Sequence, residues 1–285
     1  MTSRNPEEAE VLARFARQYP LCQAQAMLEI ERDVCGCDFG STGWATKEEV
    51  QQIATLLGLS PGKRLLDLGA GSGWPGLYLA SRINCDVVLA DIPLAGLKIA
   101  TERTVADGLA GKAWAVASHG ASLAFADASF DAIEHSDVLC CLGAKLAVLA
   151  ECRRVVRAAG RMVFSTISFA PSLSSAAHRQ ALAAGPPFMI ASGDYPEMLS
   201  KAGWRTERRL DVTAEYGAAA ERLLTAQEAR EEMLVEILGR SDFAEMITKG
   251  RRTVAAIEQG LSGGNSSQRA RPRSVSLAPR APNHH

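Results

Sequence analysis

The residues best equipped for chemistry lie in one short stretch, Asp67-Leu68-Gly69-Ala70-Gly71-Ser72-Gly73, with Asp91 following further on. Glycines at alternate positions let a backbone turn sharply and let a ligand approach with no Cβ in the way. A helix expected to begin near Pro75 points its free N–H groups at the same crevice. Asp91 ends the next expected strand, with Ile92 beside it, where a carboxylate can accept both hydroxyls of a ribose. Capping of the helix that starts near Pro93 is the competing role for Asp91.

Two cofactors fit these glycines. Gly71-Ser72-Gly73-Trp74-Pro75-Gly76 satisfies G-x-G-x-x-G, the dinucleotide pattern, which keeps an NAD(P)-dependent oxidoreductase as the alternative reading. Asp67 argues otherwise. A buried carboxylate at the strand end needs donors to stay ionised, and a cationic α-amino group would serve. Trp74-Pro75 also fills the positions where a pyrophosphate needs the backbone. A dinucleotide has no amino-acid moiety; S-adenosyl-L-methionine has one. The expected cofactor is therefore S-adenosyl-L-methionine, with a cofactor-binding protein that does not turn over as a third reading.

Methyl transfer from a sulfonium is an in-line displacement, so proximity and alignment carry much of the catalysis. A general base is needed only where the acceptor must lose a proton. Such a base belongs at the carboxyl end of the fourth strand, where Glu134-His135-Ser136-Asp137 lies. His135 is the candidate, both as base and as a residue lining the cofactor, because its ordinary pKa lies near the working pH. Asp137 would orient it or cap the next helix. The loop from Asp38 to Thr46, with Trp44 between glycines and threonines, is the expected lid over the cofactor. Cys35, Cys37, Cys140 and Cys141 raise the idea of a metal or metalloid site, but the spacing matches no zinc pattern, and none is expected.

The elements that position these residues follow from hydrophobic rhythm. Helical spacing covers much of residues 1–60: Asn5-Pro6 reads as a cap and first helical residue, and Thr46-Lys47-Glu48-Glu49 as a capping box. From Arg64, short apolar runs alternate with helical patterns. Strands are expected at 64–68, 86–90, 113–117, 130–134 and 161–167, and a further one at 204–212. This is the signature of an α/β doubly wound, mostly parallel sheet with helices on both faces. The expected organisation is a helical N-terminal region and lid (1–60), a core (61–213, with 168–202 contributing an acceptor cap), C-terminal helices (214–259) and a disordered tail (260–285). One long helix is expected over 218–238.

Totals bound the partners. The 285 residues carry a formal net charge of -1, and 47% are hydrophobic. No basic stripe with interleaved aromatics suggests nucleic acid, and no apolar run suggests a membrane span. Seven cysteines form no disulfide framework, which suits a reduced, cytoplasmic protein, monomeric or homodimeric.

Leu65-Leu66-Asp67-Leu68-Gly69-Ala70-Gly71-Ser72-Gly73 resembles the first motif of class I S-adenosylmethionine-dependent methyltransferases. Asp91 matches that family's ribose-binding acid. Ser122 to Ile133 resembles the passage before its fourth strand, and Gly160-Arg161-Met162-Val163-Phe164 the start of its fifth. The resemblance implies a Rossmann-like fold, a small-molecule methyl acceptor, and an N-terminal stretch covering the cofactor. It departs at Ser118-His119, where the family commonly has Gly-Asp; a neutral imidazole at His119, or the backbone of His119 and Gly120, would then meet the adenine. The family's closing antiparallel strand is expected to be absent or supplied weakly by 274–277.

Overall fold

The computed structural model describes residues 6–272. Three helices come first: α1 (Pro6–Cys22), α2 (Gln25–Cys35) and α3 (Lys47–Leu57). Gly36 and Gly58, both left-handed, end α2 and α3. The Thr46 hydroxyl and the Glu49 carboxylate form the reciprocal capping box at the start of α3, as the spacing predicts. Asn5 lies outside the described residues.

The alternating region then follows: β1 (Arg64–Leu68), α4 (Gly76–Ile83), β2 (Asp86–Asp91), α5 (Leu94–Ala106), β3 (Ala113–Ala117), β4 (Phe130–Ser136), α6 (Lys145–Val155) and β5 (Val156–Phe169). Beyond it lie α7 (Ser175–Ala184), α8 (Tyr195–Lys201), β6 (Trp204–Asp211), α9 (Thr213–Glu228), α10 (Glu231–Leu238), α11 (Arg240–Glu258) and β7 (Ser262–Pro272). The seven strands form one sheet in the order β3-β2-β1-β4-β5-β7-β6. β1 pairs in parallel with both β2 and β4, and β7 runs antiparallel to both its neighbours. The strand order reverses between β1 and β4, and a crevice at their carboxyl ends follows from that switch.

Alternate residues of the strands feed opposite layers. Leu65, Val87, Leu89, Ala132 and Val163 pack with α2, α3 and α4. Leu66, Leu68, Ile133, Met162 and Phe164 pack with α6, α8 and Trp204. A third cluster joins Trp44, Cys140, Ile167, Phe169, Met189 and Tyr216 beside the carboxyl ends of β4 and β5.

Two expectations are corrected. Residues 260–285 are not uniformly without structure, because Ser262–Pro272 forms β7. Its Gly and Ser content hides the strand from propensity, yet the position calls for glycine: a Cβ on Gly263 would strike Thr213, and one on Gly264 would meet Tyr216 of α9 at 3.1 Å. Two strand edges, β5 and β6, supply its hydrogen bonds whatever its side chains. The segment 274–277 lies outside the described residues. The single helix expected over 218–238 is two helices, broken where Arg230 turns to bond the Ala226 carbonyl and Asp33 of α2.

Trp204 anchors β6: its buried indole N–H donates to the Leu149 carbonyl of α6 at 2.9 Å. Trp204→Phe removes that bond and part of the buried ring, and the expected loss is about 1–3 kcal/mol in urea unfolding. A loss of only a few tenths would show that this bond does not fasten the sheet to α6.

Candidate functional site

Glycine geometry builds the turn after β1. Gly69, Gly71 and Gly73 all have positive φ, at 77°, 52° and 105°. The Gly69 N–H donates to the Ala90 carbonyl at 2.7 Å, with Ala70 N–H close by on the same oxygen, so the turn is pinned to the end of β2. Asp91 completes the junction. One of its carboxylate oxygens accepts from Gly71 N–H at 2.9 Å, the other from Ile92 N–H at 2.7 Å. Burial raises the Asp91 pKa against the pull of those donors.

Beneath the turn, two carboxyl groups are buried together. Asp67 on β1 and Glu134 on β4 stand at paired positions of adjacent strands, 1% and 0% exposed. Asp67 accepts from Gly76 N–H at 2.9 Å, at the start of α4, and Ser136 donates its hydroxyl to Glu134. Burial and then the Asp67 charge push Glu134 well up, so it stays protonated and donates to Asp67. Burial likewise pushes Asp67 up to about 7. Glu134 Oε2 has no other partner, and no basic side chain forms an ion pair with either carboxyl among the described residues. An ammonium group fits such a pocket; a pyrophosphate does not.

The segment after β4 closes on the same turn. Val138 packs against the bare Cα of Gly69, where a Cβ would collide with it. Asp137, left-handed at φ 56°, is held by Ser165 through its N–H and its carboxylate, at 3.2 Å each. Burial pushes its pKa up to about 7. Trp44 lies beside it, its indole N–H without a partner of standard geometry, and stacks at 4.8 Å on Tyr216.

His135 does not do what its sequence position suggests. It alternates with Glu134 and Ser136, so its ring enters the layer below, stacked on Phe164 at 4.8 Å and 0% exposed. Burial pulls its pKa down to about 3, and neither ring nitrogen has a partner. A base must return its proton to solvent; this ring has no route to do so. The expectation of a basic His135 is corrected on that ground.

Ser118 and His119 are also placed by local bonds. Ser118 N–H donates to the Asp91 carbonyl, and its hydroxyl accepts from Ala124 N–H. His119 Nδ1 accepts from Ala121 N–H at 3.0 Å, so the ring proton sits on Nε2 and the ring offers a donor rather than the expected acceptor. The backbone at Gly120, packed on Leu68 and Val148, remains available on that edge.

The expected lid is tied down. Glu31 of α2 accepts from Gly40 N–H, Ser41 N–H and the Ser41 hydroxyl. Ser72 in the glycine turn donates to the Gly40 carbonyl, Trp74 donates to the Ala45 carbonyl, and Arg103 of α5 grips Asp38 and covers the Phe39 ring. Cys35 and Cys37 pack in this layer, whereas Cys140 packs with Trp44, so the two cysteine pairs sit in separate clusters. Sequence reasoning missed Tyr19, whose ring covers Gly71 and whose hydroxyl reaches Asp91 at 3.4 Å. Its spacing of four residues from Phe15 was the available signal. Glu134 was also missed, because its partner is 67 positions away and only strand pairing joins them.

Known proteins match this arrangement. Residues 66–164 match the family model described as a methyltransferase domain. The chain is similar to the glycine/sarcosine/dimethylglycine N-methyltransferase of Actinopolyspora halophila, 27% identical over 219 residues, covering 74% of this chain and 38% of that one. It is 25% identical over 225 residues to phosphoethanolamine N-methyltransferase 1 of Arabidopsis thaliana, covering 79% and 45%. The chain thus spans less than half the length of these two relatives. The solved structure of Haemonchus contortus phosphoethanolamine N-methyltransferase 2 in complex with S-adenosyl-L-methionine shares the fold, with a TM-score of 0.74, 14% identity, and coverage of 87% of this chain and 57% of that one. The switch-point turn and its two partner acids, Asp67 and Asp91, thus lie within the residues that match a methyltransferase domain.

Proposed function

We propose that this protein transfers the methyl group of S-adenosyl-L-methionine to a small-molecule acceptor. The observation that carries the reading is the buried Asp67–Glu134 pair, which lacks a basic partner directly under a glycine turn flanked by a ribose-type carboxylate. Asp67 would hold the cofactor's amino group, with Glu134 behind it. The backbone of Gly69, Ala70, Gly71 and Gly73 would line its body, and Asp91 with Ile92 its ribose. The Ser118-His119-Gly120 corner would meet the adenine through backbone groups, and Trp44 would close the methionine end. When bound, the cofactor supplies an electrophilic methyl group, so the chain's task is to align the acceptor and manage its proton.

Asp137 suits that second task. It follows β4 directly, stands next to the Val138–Gly69 contact, and is fixed by Ser165. A carboxylate with a pKa of about 7 can take a proton from an acceptor amine or hydroxyl near neutral pH. Desolvation by Trp44 and Tyr216 would strengthen its pull on a cationic acceptor. No helix of the described residues is long and apolar enough to cross a membrane. Seven unpaired cysteines support a reducing, cytoplasmic setting.

The direct test is a transfer assay with radiolabelled S-adenosyl-L-methionine and a metabolite extract, the labelled product being identified by mass. A labelled small molecule is expected; no product, together with no binding of S-adenosylhomocysteine, would overturn the reading. Asp91→Ala is expected to weaken S-adenosylhomocysteine binding by about 10–100-fold, the worth of hydrogen bonds to a charged group. Calorimetry showing wild-type affinity would remove Asp91 from the ribose role. With the acceptor in hand, kcat should rise with pH through about 7 as Asp137 ionises. Asp137→Asn should lower kcat by about 10²–10⁴-fold and flatten that rise, whereas His135→Leu should leave the profile in place. The reverse pattern would return the base role to His135.

A further inference from the structure

Three basic side chains from three separate segments gather one turn beyond Asp137. Lys145, at the start of α6, is only 5% exposed. Its Nζ donates to the Leu142 carbonyl at 2.5 Å and lies 5.8 Å from the Phe188 ring centre. Arg14 comes from α1, its guanidinium 4.9 Å over Phe15 and its Nε buried without a partner. Lys249 comes from α11, the helix whose Thr253 hydroxyl bonds the Ala184 carbonyl behind α7.

Backbone bonds bring these segments together. Gly143 N–H donates to Glu8 of α1 at 2.7 Å, and Phe188 N–H donates to the Cys140 carbonyl at 3.1 Å. Cys140 in turn donates its thiol to the Asp137 carbonyl at 3.1 Å, which links the gathering to the site. None of the three cations has a carboxylate within 4.0 Å among the described residues, whereas Arg103, Arg154 and Arg230 are all ion-paired. The nearby acids, Glu8 and Glu245, leave a net positive charge; Glu8 is occupied by Gly143. The half-buried Cys141 thiol between them registers the field. The Cys140 thiol, then Arg14 and Lys249, draw its pKa below the ordinary value. Desolvation, then the Arg14 charge, lowers Lys249.

Arg14 and Lys249 repel each other, and none of the three cations has a carboxylate partner, a gathering that favours an anion between them. We infer that Arg14, Lys145 and Lys249 bind an oxyanion, phosphate or carboxylate, carried by the methyl acceptor. The inference rests on the methyl-transfer reading for the rest of that molecule. The acceptor is then a small molecule with an acid group at one end and, facing Asp137, a nucleophilic amine or hydroxyl at the other. Arg14 and Lys145 would fix its reach, and Lys249, from the exposed side of α11, would admit it.

Calorimetric titration at constant ionic strength, set with chloride, tests this with inorganic phosphate in one arm and acetate in the other. Both arms are run on the full chain with and without S-adenosylhomocysteine. One-site saturable binding of at least one anion is expected, and the arm that binds tighter names the acid group. Lys249→Met should weaken it by tenfold or more, and Lys145→Met likewise. Lys98→Met, the same charge change on exposed α5, should have no effect. Absence of saturable binding by both anions, or unchanged binding in Lys249→Met, would overturn the inference. If S-adenosylhomocysteine binds and neither anion does, the methyl-transfer reading stands and this one falls. If phosphate or acetate binds and S-adenosylhomocysteine does not, the opposite holds.

Discussion

Placing two carboxyl groups side by side with almost no water, as β1 and β4 do with Asp67 and Glu134, is among the least favourable acts in this fold. Like charges that close cannot both ionise, so the pair holds a proton. Much else is arranged around that. The N-terminus of α4 donates to Asp67, and the glycines let Val138, Tyr19 and Leu77 close on the turn above it. The strand order reverses there, which puts the pair at the switch point of the sheet. An apolar pair at these positions would spare the sheet that desolvation cost.

The chemistry beyond this pocket depends on strand alternation. Glu134 and Ser136 face one layer and His135 the other, so the residue with the most suitable ordinary pKa is turned away and neutralised by burial. Asp137 is the first residue past the end of β4. Its left-handed backbone and the Ser165 bonds set it beside Trp44, and burial gives it the titration range that His135 lost. Beyond it, Cys140 and the Lys145 loop carry the line of residues outward to α1 and α11.

Most of the sheet was legible because its strands are short apolar runs bounded by turn residues, and the glycine turn because its backbone demands fix residue types. Thr46 and Glu49 announced α3 in the same way. β7 was not legible: its glycines answer to the approach of Thr213 and Tyr216, a tertiary demand that strand propensity does not encode. The break at Arg230 likewise depends on Asp33, far away in the chain. In the site, Asp67 and Asp91 could be found from spacing to the glycines. Glu134, Tyr19 and the Arg14, Lys145 and Lys249 gathering could not, because each acquires its role from a neighbour on a different element. His135 misled because residue type was visible and side-chain direction was not.

On the proposed function, Asp67 gives up its proton to receive an ammonium group. Free Asp67 has a pKa of about 7, so below that pH the free protein holds the proton and the complex does not. S-adenosylhomocysteine binding should be measured by calorimetry at pH 6 in two buffers of different ionisation enthalpy. Release of close to one proton is expected at pH 6, little at pH 8, and none with Asp67→Asn. Full-affinity binding with an enthalpy independent of buffer at pH 6 would contradict it.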